Sequence, residues 1–308
     1  MIVVVCPGQG SQTPGFLSPW LELDGARERM EAYSDASGVD LIAHGTESDA
    51  DTIRDTRVAQ PLIVAASLLA WRALGDESRV AGVAGHSVGE LAALAATGVI
   101  DDNNAMRIVG TRGRAMADAA AQAQTGMSAV VGGKPDDVVP LIENLGLTAA
   151  NYNGGGQIVA AGALDALAKL GENAPRGVRV IPLQVAGAFH TSYMQSAQPV
   201  LQTVIDAIPE QSVRTPRPLL WTNSDGSVVT DGNRALELIV RQIAAPVRWD
   251  LCMESFGEHG ITGLIELAPA GALVGLAKRA LRGIPSVAVK TPDDLDAARA
   301  LLNGETAA

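Results

Sequence analysis

Cysteine is scarce in this chain: only Cys6 and Cys252 occur among the 308 residues, and neither belongs to a CxxC motif. No disulfide framework and no metal centre with cysteine ligands is therefore expected. Long hydrophobic runs are also missing, because the longest apolar stretch, Pro61 to Trp71, is shorter than the roughly 20 residues that span a bilayer. The apolar segment Met1–Cys6 has no basic region and leads directly into a Pro-Gly pair, so it predicts a buried strand and not a signal peptide. We expect a soluble, cytoplasmic protein with no membrane partner.

Aromatic and basic residues are few as well. Phe, Trp and Tyr make up 3 % of the chain, and 23 Lys and Arg residues stand against 34 Asp and Glu residues, which gives a formal charge of −11 at pH 7. A polyanion would be repelled by this charge and would find few aromatic rings for its bases, so nucleic acid is excluded as a partner. An anionic metabolite remains compatible with the net charge if a local cationic side chain binds it.

Short β-branched runs alternate with Ala- and Leu-rich helical patterns, which predicts an α/β fold with a mostly parallel sheet. In the middle of the chain the predicted order is β-α-β-β-α-β, which is the ferredoxin-like pattern. We therefore expect a large α/β-hydrolase-like domain of residues 1–124 and 185–308, into which a small ferredoxin-like domain of residues 125–184 is inserted. The predicted elements include strands at 2–5, 80–85, 127–132, 148–152, 157–161, 178–185 and 263–266 and helices at 59–74, 90–96, 104–121, 135–145 and 163–173.

The strongest local motif is Gly85-His86-Ser87-Val88-Gly89, which matches the G-x-S-x-G nucleophile elbow. A predicted strand precedes it and a predicted helix follows it, as that elbow requires. The two glycines leave room for a tight strand-to-helix turn, and the following helix N-terminus offers free N–H groups to an oxyanion. The pattern favours Ser87 as a nucleophile; the alternative is a glycine-flanked turn whose serine only caps the next helix.

A serine nucleophile needs a base, and the chain has four histidines, His44, His86, His190 and His259. His190 ends a strand-like segment, where α/β sheets present catalytic groups, so it is the candidate base. The alternative for His190 is a structural histidine. His86 is adjacent to the nucleophile in a sharp turn and is expected to form a wall of the site. No acidic partner for His190 stands out, so the residues alone do not predict a Ser-His-Asp triad.

The loop Gly8-Gln9-Gly10-Ser11-Gln12 follows the first predicted strand. It does not continue as a dinucleotide-binding G-x-G-x-x-G motif, and no Gly-Lys-Ser/Thr sequence makes it a Walker loop. What remains is either a plain turn or a loop whose backbone N–H groups face an oxyanion.

Taken together, these motifs resemble the malonyl-CoA:acyl carrier protein transacylase family. The resemblance covers nearly the whole chain and implies a stand-alone bacterial enzyme of fatty-acid or polyketide biosynthesis, with malonyl-CoA and acyl carrier protein as partners. It implies no metal and no cofactor, because the CoA thioester is itself the substrate. The oligomeric state expected is a monomer. The blocks that carry the resemblance are Pro7-Gly8-Gln9-Gly10-Ser11-Gln12, Ala59-Gln60-Pro61, Gly85-His86-Ser87-Val88-Gly89-Glu90, Arg112-Gly113, Gly187-Ala188-Phe189-His190 and Pro246-Val247-Arg248-Trp249.

The resemblance also implies roles for particular residues. Ser87 would be the acylated nucleophile and His190 the base. Gln9 and Val88 would supply backbone N–H groups to the oxyanion hole. Gln242 would orient His190 through its main-chain carbonyl, which would replace the missing acid.

Substrate recognition is implied at three further positions. Arg112 would pair with the free carboxylate of the malonyl group, for which a bidentate guanidinium is well suited. Without the resemblance, Arg112 is not distinguished from Arg107 and Arg114 on the same predicted helix. Phe189 is similar to a malonyl-selecting signature and would exclude an α-methyl branch, although core packing is the alternative. His86 would line the site.

Acyl carrier protein is acidic, so docking on this acidic chain requires a local basic surface. Lys278, Arg279 and Arg282 are predicted to lie on one face of a helical segment over residues 275–282. We expect this basic patch, Lys278, Arg279 and Arg282, to contact the carrier protein; an ordinary solvated helix face is the alternative.

Three competing functions remain open from the sequence. A serine hydrolase or thioesterase could use the same elbow, but it would give Arg112 no role and would usually need an acid partner. A non-catalytic module that binds carrier protein would not need Ser87, His190 and Gln9 together. A methylmalonyl-selective transferase is disfavoured by Phe189.

Overall fold

The computed structural model describes residues 1–305. Its strands are β1 (Ile2–Cys6), β2 (Val80–Gly85), β3 (Thr125–Val131), β4 (Thr148–Gly154), β5 (Gln157–Ala163), β6 (Arg179–Pro182), β7 (Leu219–Trp221), β8 (Val228–Val229), β9 (Val247–Arg248), β10 (Gly263–Glu266) and β11 (Ser286–Ala288). Its α-helices are α1 (Ala26–Ser37), α2 (Leu41–Thr46), α3 (Thr56–Leu74), α4 (Gly89–Ala96), α5 (Asp102–Ala120), α6 (Pro135–Asn144), α7 (Leu164–Glu172), α8 (Gln198–Asp206), α9 (Gly232–Gln242), α10 (Trp249–Glu258), α11 (Ala272–Ala280) and α12 (Leu295–Asn303).

The larger sheet has the strand order β11-β10-β1-β2-β7-β8, and every pairing in it is parallel except that of β7 with β8. All five residues of β1 are buried, which is why this strand is an unbroken apolar run: a parallel strand covered on both faces has no solvent side. The predicted α/β fold with a mostly parallel sheet is confirmed. The strand bounds predicted at 80–85 and 263–266 agree with β2 and β10.

The smaller sheet has the order β6-β3-β5-β4-β9. Its first four strands alternate with α6 and α7 in the predicted order β-α-β-β-α-β, and they are antiparallel to one another. A separate apolar cluster, which includes Val130, Ile142 and Leu170, lies between these helices and the sheet. The fifth strand, β9, joins β4 from a later part of the chain and pairs with it in parallel. This pairing brings the smaller sheet close to the end of α9.

Two predicted boundaries differ from the structure. The strand predicted at 178–185 ends at Pro182, so the chain from there to His190 is a loop with turns and His190 is not at a strand end. Helix α3 begins at Thr56, before the predicted start at residue 59, because the Asp55 side chain accepts a hydrogen bond from the Arg57 N–H and caps it. None of the helices within residues 1–305 has the length and hydropathy needed to span a bilayer.

Candidate active site

Ser87 lies in the sharp turn between β2 and α4, with a φ angle of 52°. The turn needs its glycines: a Cβ on Gly85 would lie 2.0 Å from the carbonyl carbon of Gly89, and a Cβ on Gly89 would lie 2.2 Å from the carbonyl oxygen of Cys6. A serine in the left-handed region is strained, and such strain is concentrated at functional sites. The Ser87 side chain does not cap α4, whose N-cap is Val88, so the capping alternative is wrong.

His190 contacts the nucleophile directly, since its Nε2 lies 2.7 Å from Ser87 Oγ. Its Nδ1 lies 2.7 Å from the main-chain oxygen of Gln242. A carbonyl oxygen can only accept, so Nδ1 carries the proton and the lone pair of Nε2 faces the serine hydroxyl. The structure thus brings Ser87, His190 and Gln242 together with a carbonyl where a triad would have a carboxylate.

The His190 imidazole is buried, and burial lowers the pKa of His190 to about 3, with a smaller contribution from the nearby positive charge of Arg112. The ring is therefore neutral near pH 7 and able to accept a proton from the serine hydroxyl.

Arg112 is completely buried beside this dyad. One terminal nitrogen donates to Gln60 Oε1 at 2.7 Å; the other donates to Gln242 Oε1 at 2.9 Å and lies 3.4 Å from Ser87 Oγ. Its Nε has no hydrogen-bond partner and the guanidinium has no salt bridge within residues 1–305. Burial lowers the pKa of Arg112 to about 10, so it remains a cation at neutral pH. The Glu90 carboxyl group lies near enough to oppose this shift but forms no salt bridge with the guanidinium. A buried cation that donates only to neutral oxygens is suited to an anionic ligand.

A second buried layer holds the elbow and the base in place. The Asn223 Oδ1 accepts the Ser87 N–H at 2.7 Å, and its Nδ2 donates to the Gly85 carbonyl at 2.7 Å. Glu90 accepts the Asn223 N–H at 2.6 Å and also a hydrogen bond from Gln242 Nε2. Burial raises the pKa of Glu90 to about 7.

Sequence reasoning assigned no role to Gln60, Glu90 or Asn223. The first two stand inside motif blocks quoted above, and each is a polar side chain in an otherwise apolar stretch of helix, which is a usable signal. Asn223 follows a short strand and carries no comparable pattern. Only the fold brings it to the elbow, 136 residues away in sequence from Ser87.

The two predicted oxyanion donors belong to different segments, and their role stays a prediction. Val88 is the buried residue directly after Ser87, at the N-terminus of α4. Gln9 follows β1 and is half-buried; its Nε2 donates to the Arg54 carbonyl at 3.2 Å, and the Gln12 side chain donates to the neighbouring carbonyl of Ile53 at 3.1 Å. These bonds anchor the loop that carries the Gln9 N–H.

His86 lies at the boundary between the two sheets. Its Nε2 lies 2.9 Å from Asn153 Oδ1, and its ring packs edge-on against Trp249 at a centroid distance of 5.7 Å. Burial lowers the pKa of His86. Together with Gln9 and Arg279 it lines a cleft of about 290 Å³, and its role as a wall of the substrate site stays a prediction. Phe189, which precedes the base, is buried.

The basic patch is arranged differently from the prediction. Lys278 and Arg279 are exposed in the last turn of α11, but the helix ends at Ala280 and Arg282 lies beyond it. The three residues therefore do not form one helical face. Leu281 has left the helical conformation, with φ −113° and ψ 61°, so the i, i+4 spacing no longer sets the direction of the Arg282 side chain. Arg279 nevertheless lines the same cleft as Gln9 and His86, where it lies beside Gly155.

Comparisons with known proteins agree with this geometry. The acyl transferase domain family matches residues 3–300. The malonyl CoA-acyl carrier protein transacylase of Mycobacterium tuberculosis is 49 % identical over 300 residues, which cover 96 % of this chain and 98 % of that protein.

Solved structures show the same similarity. The crystal structure of MCAT from Mycobacterium tuberculosis matches with a TM-score of 0.93 and 48 % identity, over 97 % of this chain and 99 % of that one. A malonyl-transacylase in complex with its type II PKS acyl-carrier protein matches with a TM-score of 0.90 and 29 % identity, over 96 % of this chain and 98 % of that one. The resemblance inferred from the motifs is confirmed: the chain belongs to the acyl transferase domain family and, within it, to the malonyl CoA-acyl carrier protein transacylases.

Proposed function

We propose that this protein transfers a malonyl group from malonyl-CoA to the phosphopantetheine thiol of acyl carrier protein, through a malonyl ester on Ser87. The observation that carries the proposal is the buried Arg112 guanidinium, which lies next to the Ser87–His190 pair, has an unpartnered Nε and donates only to neutral oxygens. A serine hydrolase would have no use for such a cation, and the family is one of acyl transferases.

The first half-reaction acylates the serine. As Ser87 Oγ attacks the thioester carbonyl, its proton passes to His190 Nε2, while the Gln242 carbonyl holds the opposite ring nitrogen. The N–H groups of Gln9 and Val88 stabilise the negative charge that develops on the carbonyl oxygen. The C–S bond then breaks, and the CoA sulfur leaves with the proton from His190.

The second half-reaction runs the same steps in reverse order with another thiol. His190 accepts the proton of the phosphopantetheine thiol, and the sulfur attacks the malonyl ester. The C–O bond to Ser87 breaks, and the serine oxygen regains the proton from His190. No step calls for a cofactor. That the enzyme uses none stays a prediction.

Arg112 provides the selectivity in this proposal. A malonyl carboxylate would pair with the guanidinium, whereas an acetyl group would leave a desolvated cation unpaired, which is costly in a buried site. Phe189 would narrow the space beside the α-carbon and disfavour methylmalonyl-CoA.

We also propose the finer architecture that the sequence predicted. A large α/β-hydrolase-like domain would comprise residues 1–124 and 185–308, with its last three residues outside the described range, and a ferredoxin-like domain would comprise residues 125–184. The order of β3 to β6 with α6 and α7 and the separate apolar cluster support this division. A cytoplasmic location likewise stays a prediction.

The decisive experiment is the intact mass of the protein after mixing with malonyl-CoA, methylmalonyl-CoA or acetyl-CoA. We expect one malonyl group on the wild type, none on Ser87→Ala, and loss of the malonyl preference in Arg112→Ala. The adduct should disappear when acyl carrier protein is added and reappear on the carrier. Hydrolysis of the thioester without transfer would instead support the hydrolase, and a protein that binds carrier without any reaction would be a non-catalytic module.

A further inference from the structure

Glu90 is a buried carboxylate for which the catalytic steps above have no direct use. It lies in the first turn of α4 and is 5 % exposed. It accepts one hydrogen bond from the Asn223 backbone N–H and one from Gln242 Nε2. No Lys or Arg forms a salt bridge with it within residues 1–305. The nearest cation, Arg112, acts on it only through space. Keeping a buried carboxylate without an ion pair is costly.

The contact with Gln242 determines which way the side-chain amide points. The amide nitrogen donates toward Glu90 and lies 3.0 Å from the Ser87 carbonyl oxygen, so it faces oxygen atoms. The amide oxygen therefore faces Arg112 and accepts its N–H at 2.9 Å. The reverse orientation would set the amide oxygen against the Glu90 carboxylate and the NH₂ group against the guanidinium, and both contacts would be repulsive.

This orientation has two consequences for the site. Gln242 is a neutral spacer between Glu90 and Arg112, so the carboxylate stabilises the spacer without forming an ion pair with the guanidinium. Arg112 then keeps its unpartnered Nε–H and its remaining terminal N–H groups for an incoming carboxylate. Gln242 also provides the main-chain oxygen that accepts the His190 Nδ1–H, so the residue fixed by Glu90 orients both the anion-binding cation and the base.

We propose that Glu90 is a positioning residue for malonyl transfer, which locks the Gln242 side chain so that Arg112 and His190 are held in their working geometry. This inference rests on the proposed function and assigns to a residue outside the catalytic steps control over substrate discrimination. Because the route to Arg112 concerns only acyl groups with a carboxylate, Glu90 matters more for malonyl than for acetyl transfer.

The test compares Glu90→Gln with Glu266→Gln at pH 8, where the Glu90 carboxylate is ionised. Glutamine keeps the volume of the side chain but turns one acceptor into an NH₂ group that faces the NH₂ of Gln242. Glu266 is also a buried glutamate, but it contacts only backbone N–H groups of α11, so it controls for the loss of a buried charge. The measured quantity is kcat/KM for acylation of Ser87 by malonyl-CoA and by acetyl-CoA.

For Glu90→Gln we expect kcat/KM for malonyl-CoA to fall about 100-fold, as small displacements of positioned groups can cause. The malonyl-to-acetyl ratio should fall about tenfold, whereas in Glu266→Gln it should stay at the wild-type value. A partly unfolded enzyme lowers both rates equally and leaves the ratio unchanged, so an unchanged ratio in Glu90→Gln would overturn the inference.

If Glu90→Gln does not fold, Glu90→Asp takes its place: the shorter carboxylate reaches Gln242 less well, so its ratio should lie below that of the wild type, and an unchanged ratio would again overturn the inference. If the wild type forms no malonyl-Ser87 adduct, the proposed function fails. If it forms the adduct and the ratios do not change, only the role of Glu90 fails.

Discussion

Two buried glutamates, one at the end of a strand of the larger sheet and one in the helix after another strand, have different kinds of partner. Glu266 is the last residue of β10 and accepts hydrogen bonds from the backbone N–H groups of Gly271, Leu273 and Val274, at 2.8 to 3.0 Å. Glu90 follows β2 and accepts from one backbone N–H and one side-chain amide. Burial raises the pKa of both carboxyl groups.

The difference shows that a buried glutamate can anchor a helix in one place and position active-site side chains in another. The partners of Glu266 belong to the first turn of α11, where backbone N–H groups lack helical acceptors, so the carboxylate anchors a helix and its influence ends there. The side-chain partner of Glu90, Gln242, in turn accepts hydrogen bonds from Arg112 and His190. A side-chain partner can be reoriented or replaced without unfolding a helix. Substitutions in the Glu90 cluster, formed by Glu90, Gln242 and Asn223, can therefore change the geometry of the site while the fold stays intact.

The largest effect is expected from Gln242→Glu, which would convert the neutral spacer into an anion. The new carboxylate would pair with Arg112 inside the protein and compete with the malonyl carboxylate for the guanidinium. We expect malonyl acylation, measured by stopped-flow or quenched mass analysis, to fall about 100- to 1,000-fold. Gln211→Glu, the same change at an exposed glutamine, is the matched control. Malonyl acylation within about threefold of the wild type would contradict the spacer role.

The second prediction concerns stability at the other glutamate. Glu266→Ala would leave three backbone N–H groups of α11 without their acceptor, at a cost of roughly 3 kcal/mol in the free energy of unfolding. The malonyl-to-acetyl ratio should not change. Denaturant titration beside Glu258→Ala, an exposed glutamate at the end of α10, measures the difference. A stable Glu266→Ala protein with altered selectivity would reverse the roles assigned to the two glutamates.

The third prediction follows from the raised pKa of Glu90, about 7 in the folded protein against an ordinary 4.5. Between these values the folded state holds a proton that the unfolded state has lost, so rising pH destabilises the fold across this window and has no further effect above it. Between pH 4.5 and 8, the free energy of unfolding of the wild type should fall by on the order of 3 kcal/mol relative to that of Glu90→Gln. Unfolding titrations of both proteins across this range measure the difference. A difference that does not vary with pH would show that the carboxyl group does not titrate here.

The smallest effect is expected at the far end of α11. Replacing exposed Lys278 and Arg279 by Glu should raise KM for acyl carrier protein roughly tenfold in low salt, because each exposed ion pair contributes at most about 1 kcal/mol. The effect should shrink in high salt. Arg79 and Arg107, also exposed, provide the same charge change elsewhere. If the Lys278/Arg279 double variant and the Arg79/Arg107 double variant had equal KM values for acyl carrier protein, the basic patch would not be a docking surface. The single variant Arg282→Glu tests whether the residue beyond the helix contributes to docking.

Much of the fold could be predicted because hydrophobic periodicity is a local property. The buried strands β2 and β10 are short apolar runs, and their predicted ends agree with the structure. Helix α1 had no prediction, since its sequence is mostly polar and only a few of its side chains are buried. The predicted start of α3 at residue 59 is three residues late, because the Asp55 cap begins the helix before Pro61.

The site divides in the same way. Residue types and their order are enough to identify the elbow with its obligatory glycines, the histidine and arginine that accompany it, and the family. That Glu90, Asn223 and Gln242 meet, that Gln242 separates a carboxylate from Arg112, and that His190 is neutral follow from the folded arrangement alone. Hydrogen bonds between residues more than 100 positions apart and pKa values set by burial exist only once the chain has folded around them.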